Sequence, residues 1–310
     1  MDRSNLSCKF MTVTPKMAED WLKAAGKNRN MKPSRVALYS QMVKRDEWYA
    51  TCQGIGFDTR GRLIDGQHRL TAIIVADKPA LLLVVRGLDP ASQMVLDQPA
   101  VRQAYEQIKI ARGIDVTPRH IAIAKVMMTS VRDSDAQRVA RSDTLILERY
   151  YMEWHEGINY VCHAFDNVGH TIPRVTIAPV QGPLARAYYT HQKEHEMIDE
   201  FAEILVSGFT SREQASAAIA LRNWLIGSSK SARRFVSRME TYKKTELALK
   251  AFYEKQTMRK VPTTPLETEL FPLPNEKPIH RDLSSPLTAA KATVSTFTKP
   301  ASRRKAAATV

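Results

Sequence analysis

The residues of this chain best suited to chemistry lie in one short run, Leu63-Ile64-Asp65-Gly66-Gln67-His68-Arg69-Leu70. Leu63-Ile64 reads as the end of a strand and Gln67 as the start of a helix, so Asp65-Gly66 is the corner between them. A glycine at such a corner lets a ligand come close to the backbone. The first turn of a helix offers amides without intrahelical acceptors and a partial positive charge, and both favour an anion. Gly66 and Gln67 would supply those amides. Arg69 adds a planar fork that matches two phosphate oxygens. His68 can donate a hydrogen bond or move a proton near neutral pH. Asp65 repels phosphate, so in an anion site it fits as a ligand for Mg2+ bridging to phosphate, or as a base for an incoming hydroxyl. The same residues also fit a plain structural role, with Asp65 capping the helix and His68 and Arg69 on a solvated first turn.

The flanking pattern describes the elements that would hold this corner. Thr14-Pro15 opens a helix with Met17, Trp21 and Leu22 on one face and Gly26 at its end. Pro33 starts a second helix that stops near Asp46. Gly54 to Asp58 and Arg62 to Ile64 form a hairpin around Thr59-Arg60-Gly61. A helix follows from Gln67 to Ala76. Ala80 to Arg86 is a near-continuous apolar run, the pattern of a central strand buried on both faces. Asp89-Pro90 opens one more helix. Together these make a compact α/β domain over residues 1–110.

Asp65-Gly66-Gln67-His68-Arg69 resembles the signature of the DGQHR branch of the ParB/sulfiredoxin superfamily. The similarity extends to Val13-Thr14-Pro15-Lys16-Met17-Ala18, Trp21-Leu22, Asn28-Arg29-Asn30, Gly61-Arg62-Leu63-Ile64 and Leu83-Val84-Val85-Arg86-Gly87-Leu88-Asp89-Pro90. The resemblance implies a ParB/sulfiredoxin-like fold whose turn, Gly66 to Arg69, lines the phosphates of ATP or CTP with Mg2+. It also implies that Asn28 and Arg29 complete the phosphate site. Gln67 stands where sulfiredoxin has its catalytic cysteine, so sulfinic-acid repair is not expected. The similarity to a free-serine kinase favours Asp65 and His68 as catalytic residues of phosphoryl transfer. Proteins of this layout resemble those of bacteriophages and mobile elements. The chain departs from them at Asp97-Gln98-Pro99-Ala100-Val101-Arg102, where a glycine and clustered basic residues are replaced.

From Thr117 the pattern turns helical, giving an all-α domain over residues 111–256. Its last helix, read from Lys230 to Lys255, places Lys230, Arg234 and Arg238 on one stripe that fits phosphate tracking along DNA or a solvated face. Residues 257–310, rich in Pro, Ser and Thr, read as a mostly disordered basic tail. Within it, Leu266 to Leu273 has the apolar character to dock on the helical domain. His191-Gln192-Lys193-Glu194-His195 has the HxxEH spacing of inverted zinc proteases, but no third ligand is evident and the flanks are polar, so an exposed helix is the favoured reading.

The net charge of +14 favours a polyanionic partner such as DNA or RNA, of which the resemblance implies DNA, and 44% hydrophobic residues suit a soluble protein. No apolar run reaches the length of a membrane span, and the N-terminus has no signal core. Cys8, Cys52 and Cys162 fit reduced thiols in a cytoplasm, which the resemblance implies is that of a bacterial or phage-infected cell. Three functions follow. The first is a DNA-associated protein that binds a nucleoside triphosphate at Asp65–Arg69 for phosphoryl transfer or hydrolysis. The second is a non-catalytic, partition-like DNA-binding protein whose turn grips the DNA backbone; a homo-oligomer is compatible with either reading. The third is a nuclease, ranked below these because no carboxylate cluster accompanies the turn.

Overall fold

Strand β1 (Ser7–Val13) runs into helix α1 (Pro15–Lys23) through Thr14, whose hydroxyl accepts the Met17 amide at 3.2 Å. Pro33 sits at the first position of α2 (Pro33–Lys44), which ends before Asp46 with its φ of 59°. A tight hairpin then joins β2 (Ile55–Asp58) to β3 (Leu63–Asp65). The buried Asp58 builds its turn, accepting the amides of Arg60 and Arg62 at 2.9 and 2.8 Å and the Arg62 side chain at 2.8 Å. Gly66 leads into α3 (Gln67–Ala76), and β4 (Ala80–Leu88) follows, ending at a short 3-10 turn, Pro90–Met94.

The computed structural model describes residues 6–23, 25, 30–94, 102–128, 139–168, 172, 174–210, 215–230, 237–262, 269–275 and 286–298. It is a mixed α/β structure dominated by helix, with one four-stranded sheet and eleven α-helices among the described residues. The chain divides into two compact units, Met1–Val101 with Ser134–Ser142 and His280–Val310, and Arg102–Asp133 with Asp143–Ile279. No helix among the described residues is long and apolar enough to cross a membrane.

In the first unit the sheet order is β1-β4-β2-β3, with β1 antiparallel to β4, β2 parallel to β4 and β3 antiparallel to β2. Val13, Leu82, Val84, Ile55, Phe57 and Leu63 of one sheet face pack against Ala18 and Leu22 of α1 and Leu70 and Ile73 of α3. The β2–β4 pairing needs a glycine at its entry, because a Cβ at Gly54 would collide with the Leu83 carbonyl. β4 does lie inside the sheet, yet it is buried on one face only: Ala80, Leu82 and Val84 are buried while Leu81 is 46% exposed. Its unbroken apolar run therefore does not mark burial on both faces. β1 went unforeseen because only Val13 of its seven residues is fully buried, which leaves little period-2 contrast to read.

The second unit holds α4 (Ala104–Arg112), α5 (Pro118–Met127), α6 (Thr144–Asn167), α7 (Ala178–Thr190), α8 (Glu196–Ser207), α9 (Ser216–Lys230) and α10 (Arg238–Tyr253). Its start at Arg102 moves the boundary inward from residue 110, so that α4 belongs to the helices. Thr117 caps α5 in a reciprocal box with His120, and Asp143 caps α6 by accepting the Leu145 amide at 3.0 Å. The helix expected from Lys230 to Lys255 is interrupted: Ser237 is extended and caps α10, which starts afresh at Arg238, while Lys230 belongs to α9.

Within residues 257–310, read as a mostly disordered tail, the described segments are packed. Val261, Phe271 and Leu273 are buried in the helical unit. Residues Pro286–Thr298 form helix α11, which packs on α2 and α3 of the first unit. Ala290, Val294 and Phe297 are spaced i, i+4, i+7, one apolar stripe that a Ser/Thr-rich composition conceals, and they meet Val36, Ala37 and Ala72. Ala290 is fully buried while its neighbour Lys291 is exposed. We therefore expect Ala290→Asp to lower the unfolding free energy by about 2 kcal/mol or more, and Lys291→Asp to change it by less than about 0.5 kcal/mol, in urea titrations of the full chain.

Candidate functional site

The corner forms where β3 hands over to α3. Gly66 has a φ of 102°, a left-handed conformation that favours glycine. Space demands glycine as well, since a Cβ there would collide with the Ile55 side chain and stand 3.2 Å from Ile55 Cα. Both the Arg69 and Leu70 amides donate to the Gly66 carbonyl at 3.0 Å, which closes the first turn. The helix therefore starts abruptly, with a residue that has no side chain to cap it.

Asp65 does not take the place of an N-cap. Its Oδ1 accepts the Gly66 amide at 2.6 Å, and its Oδ2 receives Arg69 Nη1 at 3.5 Å. The Arg69 side chain is 14% exposed and makes two further bonds: Nη1 donates to the Gly54 carbonyl at 2.8 Å and Nη2 to Gln53 Oε1 at 3.3 Å. One guanidinium thus ties the start of α3 to the chain entering β2. Asp65 is the more open partner, with 32% of its side chain exposed. The corner consequently carries a carboxylate of its own beside a helix N-terminus and an arginine, where an external anion was expected.

His68 takes a different role from the one expected. It is 6% exposed, and its Nε2 accepts the backbone amide of Lys32 at 2.9 Å. A nitrogen that accepts carries no proton, so the imidazole is neutral with its proton on Nδ1. It pins the chain entering α2 to α3, a structural role that the reading of His68 as a group facing phosphate did not include. Gln67 is half-buried in the same turn. Asn28 and Arg29 lie outside the described residues. Among the described residues no three His, Cys, Asp or Glu side chains gather as a metal site, and Asp65 is the carboxylate placed at the corner.

The other candidates disperse. His191 to His195 forms the turn between α7 and α8, so the helical i, i+4 geometry needed for zinc is lost. His191 stacks on Tyr253 at 4.1 Å and His195 on Tyr188 at 4.0 Å. Of the basic stripe, Arg234 and the Lys230 side chain lie outside the described residues, and Arg238 is exposed at the start of α10. The break between α9 and α10 removes the single helix on which the stripe depended. Lys244 turns inward and donates to the Val261 and Pro262 carbonyls at 3.0 and 2.9 Å, which holds the chain after α10.

One cluster was not foreseen. Glu246 of α10 is fully buried and hydrogen-bonds Glu269, which also accepts Tyr242 Oη at 2.6 Å. Glu246 accepts the Leu270 amide at 3.1 Å and Lys243 Nζ at 3.3 Å, and Arg186 Nε lies 3.8 Å from Glu269. The two glutamates are far apart in sequence, so no local pattern announces them. Burial pushes the Glu246 carboxyl up to about 9, and the hydrogen bond to Glu269 and that group's charge add to the shift, against the pull of Lys243 and the Leu270 amide.

No family model matches the chain, and no significant match is found among curated proteins or solved structures.

The buried glutamate gives a pH signature with a definite sign. Folded Glu246 keeps its proton up to about 9, whereas the unfolded chain releases it near 4.5. Between these values the unfolded state binds fewer protons, so this group's contribution to stability is full in acid and is lost as pH rises toward the upper value. Urea midpoints of the wild type should fall across that window, and Glu246→Gln, whose amide still donates to Glu269, should flatten the fall and raise the midpoint at about pH 8.

Proposed function

We propose that the Asp65–Arg69 corner is a phosphate seat whose resident anion is the Asp65 carboxylate, and that a nucleoside triphosphate, ATP or CTP with Mg2+, binds by displacing it. The supporting observation is the bond of 2.6 Å from the Gly66 amide to Asp65 Oδ1 with Arg69 on the other oxygen. A carboxylate and a phosphate oxygen compete for the same donors, so the residue that fills this place marks where an anion is stabilised. Arg69 serves both states, because its ties to Gly54 and Gln53 hold the guanidinium at the corner whichever anion is present.

Asp65, once displaced, has the exposure to act on the ligand. A divalent cation that keeps several waters and shares phosphate oxygens fits a single carboxylate, whereas a cage built only of protein side chains does not fit this corner. Asp65 would hold the ion and screen phosphate charge, or accept the proton of an attacking hydroxyl in phosphoryl transfer or hydrolysis. The resemblance of the turn to the ParB/sulfiredoxin superfamily supports the same ligand. The net charge of +14 supports association with DNA, and such binding weakens steeply with salt.

Calorimetry with ATP and with CTP, with and without Mg2+, tests the proposal. The wild type should show saturable binding of one nucleotide, and Arg69→Ala should lose it. Asp65→Asn keeps an oxygen for the Gly66 amide but removes the competing charge. It should bind the Mg2+-free nucleotide about tenfold more tightly, a gain of about 1.4 kcal/mol, while losing any Mg2+-dependent turnover. Absence of saturable binding in the wild type, or binding indifferent to both substitutions, would overturn it.

A further inference from the structure

The open side of the sheet in the first unit carries two of the large apolar side chains that stand exposed, Phe10 and Leu81. In the β1–β4 register Cys8 lies opposite Val85, Phe10 opposite Leu83 and Thr12 opposite Leu81, and directly opposed residues share a face. The alternate residues face the core, where Val13, Ala80, Leu82 and Val84 are buried and Met11 packs against them. Phe10 is 55% exposed, so the open face carries an apolar row across both strands. β1 is also an edge strand, and among the described residues its outer side pairs with no other strand. Edge strands of soluble proteins are commonly short, bulged or heavily charged. This one runs seven residues in unbroken register and carries a single charge, Lys9.

We propose that β1 pairs antiparallel with β1 of a second copy about a two-fold axis at Phe10, joining two four-stranded sheets into one. The residues themselves select the register. Centred on Phe10, the seven residues pair without overhang: Ser7 opposite Val13, Cys8 opposite Thr12, Lys9 opposite Met11, and Phe10 opposite its own equivalent. Lys9 then lays its stem along a thioether. Centring on Lys9 would set two ammonium groups face to face, which is destabilising. The chosen register gives the exposed Phe10 an aromatic cross-strand neighbour and makes a continuous row of Leu83, Phe10, Phe10 and Leu83. The two edges are identical, so the contact closes on itself as a dimer instead of propagating as a fibre. A foreign extended peptide would use the same backbone groups, but the self-complementary register favours the second copy.

Sedimentation of the full-length chain over a concentration series tests this. A monomer–dimer equilibrium is expected, strengthened by added salt because each copy carries +14. Phe10→Lys leaves the core untouched and sets like charges opposite each other, so it should weaken the dimer by about tenfold or more. The register has its own test in a Cys52→Ser background. Thr12→Cys should form disulfide-linked dimers with Cys8 of the other copy under mild oxidation, whereas the parent, whose Cys8 residues lie four positions apart in this register, should not. A monomer at every concentration and salt, a dimer insensitive to Phe10→Lys, or equal cross-linking with and without Thr12→Cys would overturn the proposal.

Discussion

The geometry of the first unit's corner depends on one guanidinium. Arg69 reaches from the first turn of α3 to the Gly54 carbonyl, to the Gln53 side chain and to the Asp65 carboxylate. Each partner belongs to the hairpin or to the segment entering it, so a single planar group sets the start of the helix relative to β2 and β3. Hydrogen bonds from a charged donor are worth more than neutral ones, and this donor is mostly shielded from water. Gly54 and Gly66 allow the approach, the first by letting β2 lie close to β4 and the second by turning the chain over Ile55. His68 completes the frame from the other side by fixing the entry of α2. The residues that look chemical in sequence are thus also the residues that assemble the corner, and Asp65 is more open to solvent than Arg69 or His68.

Charge is used unevenly along the chain. A balance of +14 invites a uniform reading as a polyanion binder, yet several of the basic groups are committed internally. Arg186 is buried and donates to the Met127 and Phe271 carbonyls, Lys244 holds the Val261–Pro262 segment, and Arg62 closes the Asp58 turn. Arg119 binds Gln181 and Asp166. Such groups contribute little to an outward field at short range. The helical unit instead uses Arg186 and Lys244, with the hydrogen-bonded Glu246–Glu269 pair, to hold the chain that follows α10.

Much of the first unit was legible in the sequence, because its signals are local. Thr14-Pro15, Pro33, the Thr59-Arg60-Gly61 turn and Asp65-Gly66 each act within a few residues of themselves, and the structure places elements where they point. What escaped depends on distant partners. β1 owes its existence to pairing with β4, more than sixty residues on, and shows almost no burial contrast of its own. α11 is ordered by a face of α2 and α3 that lies far upstream. The inward turn of Lys244 and the burial of Glu246 follow from the contacts of Val261, Pro262, Glu269 and Leu270 with α10, which pair residues distant in sequence. At the corner, the residue types suggested a ligand site, but which side chain faces outward was decided by a backbone amide at Lys32 and a carbonyl at Gly54, neither visible as a motif.

The central claim is that the Gly66 amide and Arg69 form an anion seat held by Asp65 until a phosphate takes its place. Observing that amide directly is the sharpest test. In a sample labelled with 15N at glycine, titration with the Mg2+ complex of ATP or CTP should shift the Gly66 resonance saturably as its acceptor changes from carboxylate to phosphate, and Asp65→Asn should shift it in the free protein. A Gly66 signal that stays fixed through the titration, while the protein remains folded and the nucleotide is in large excess, would contradict the account.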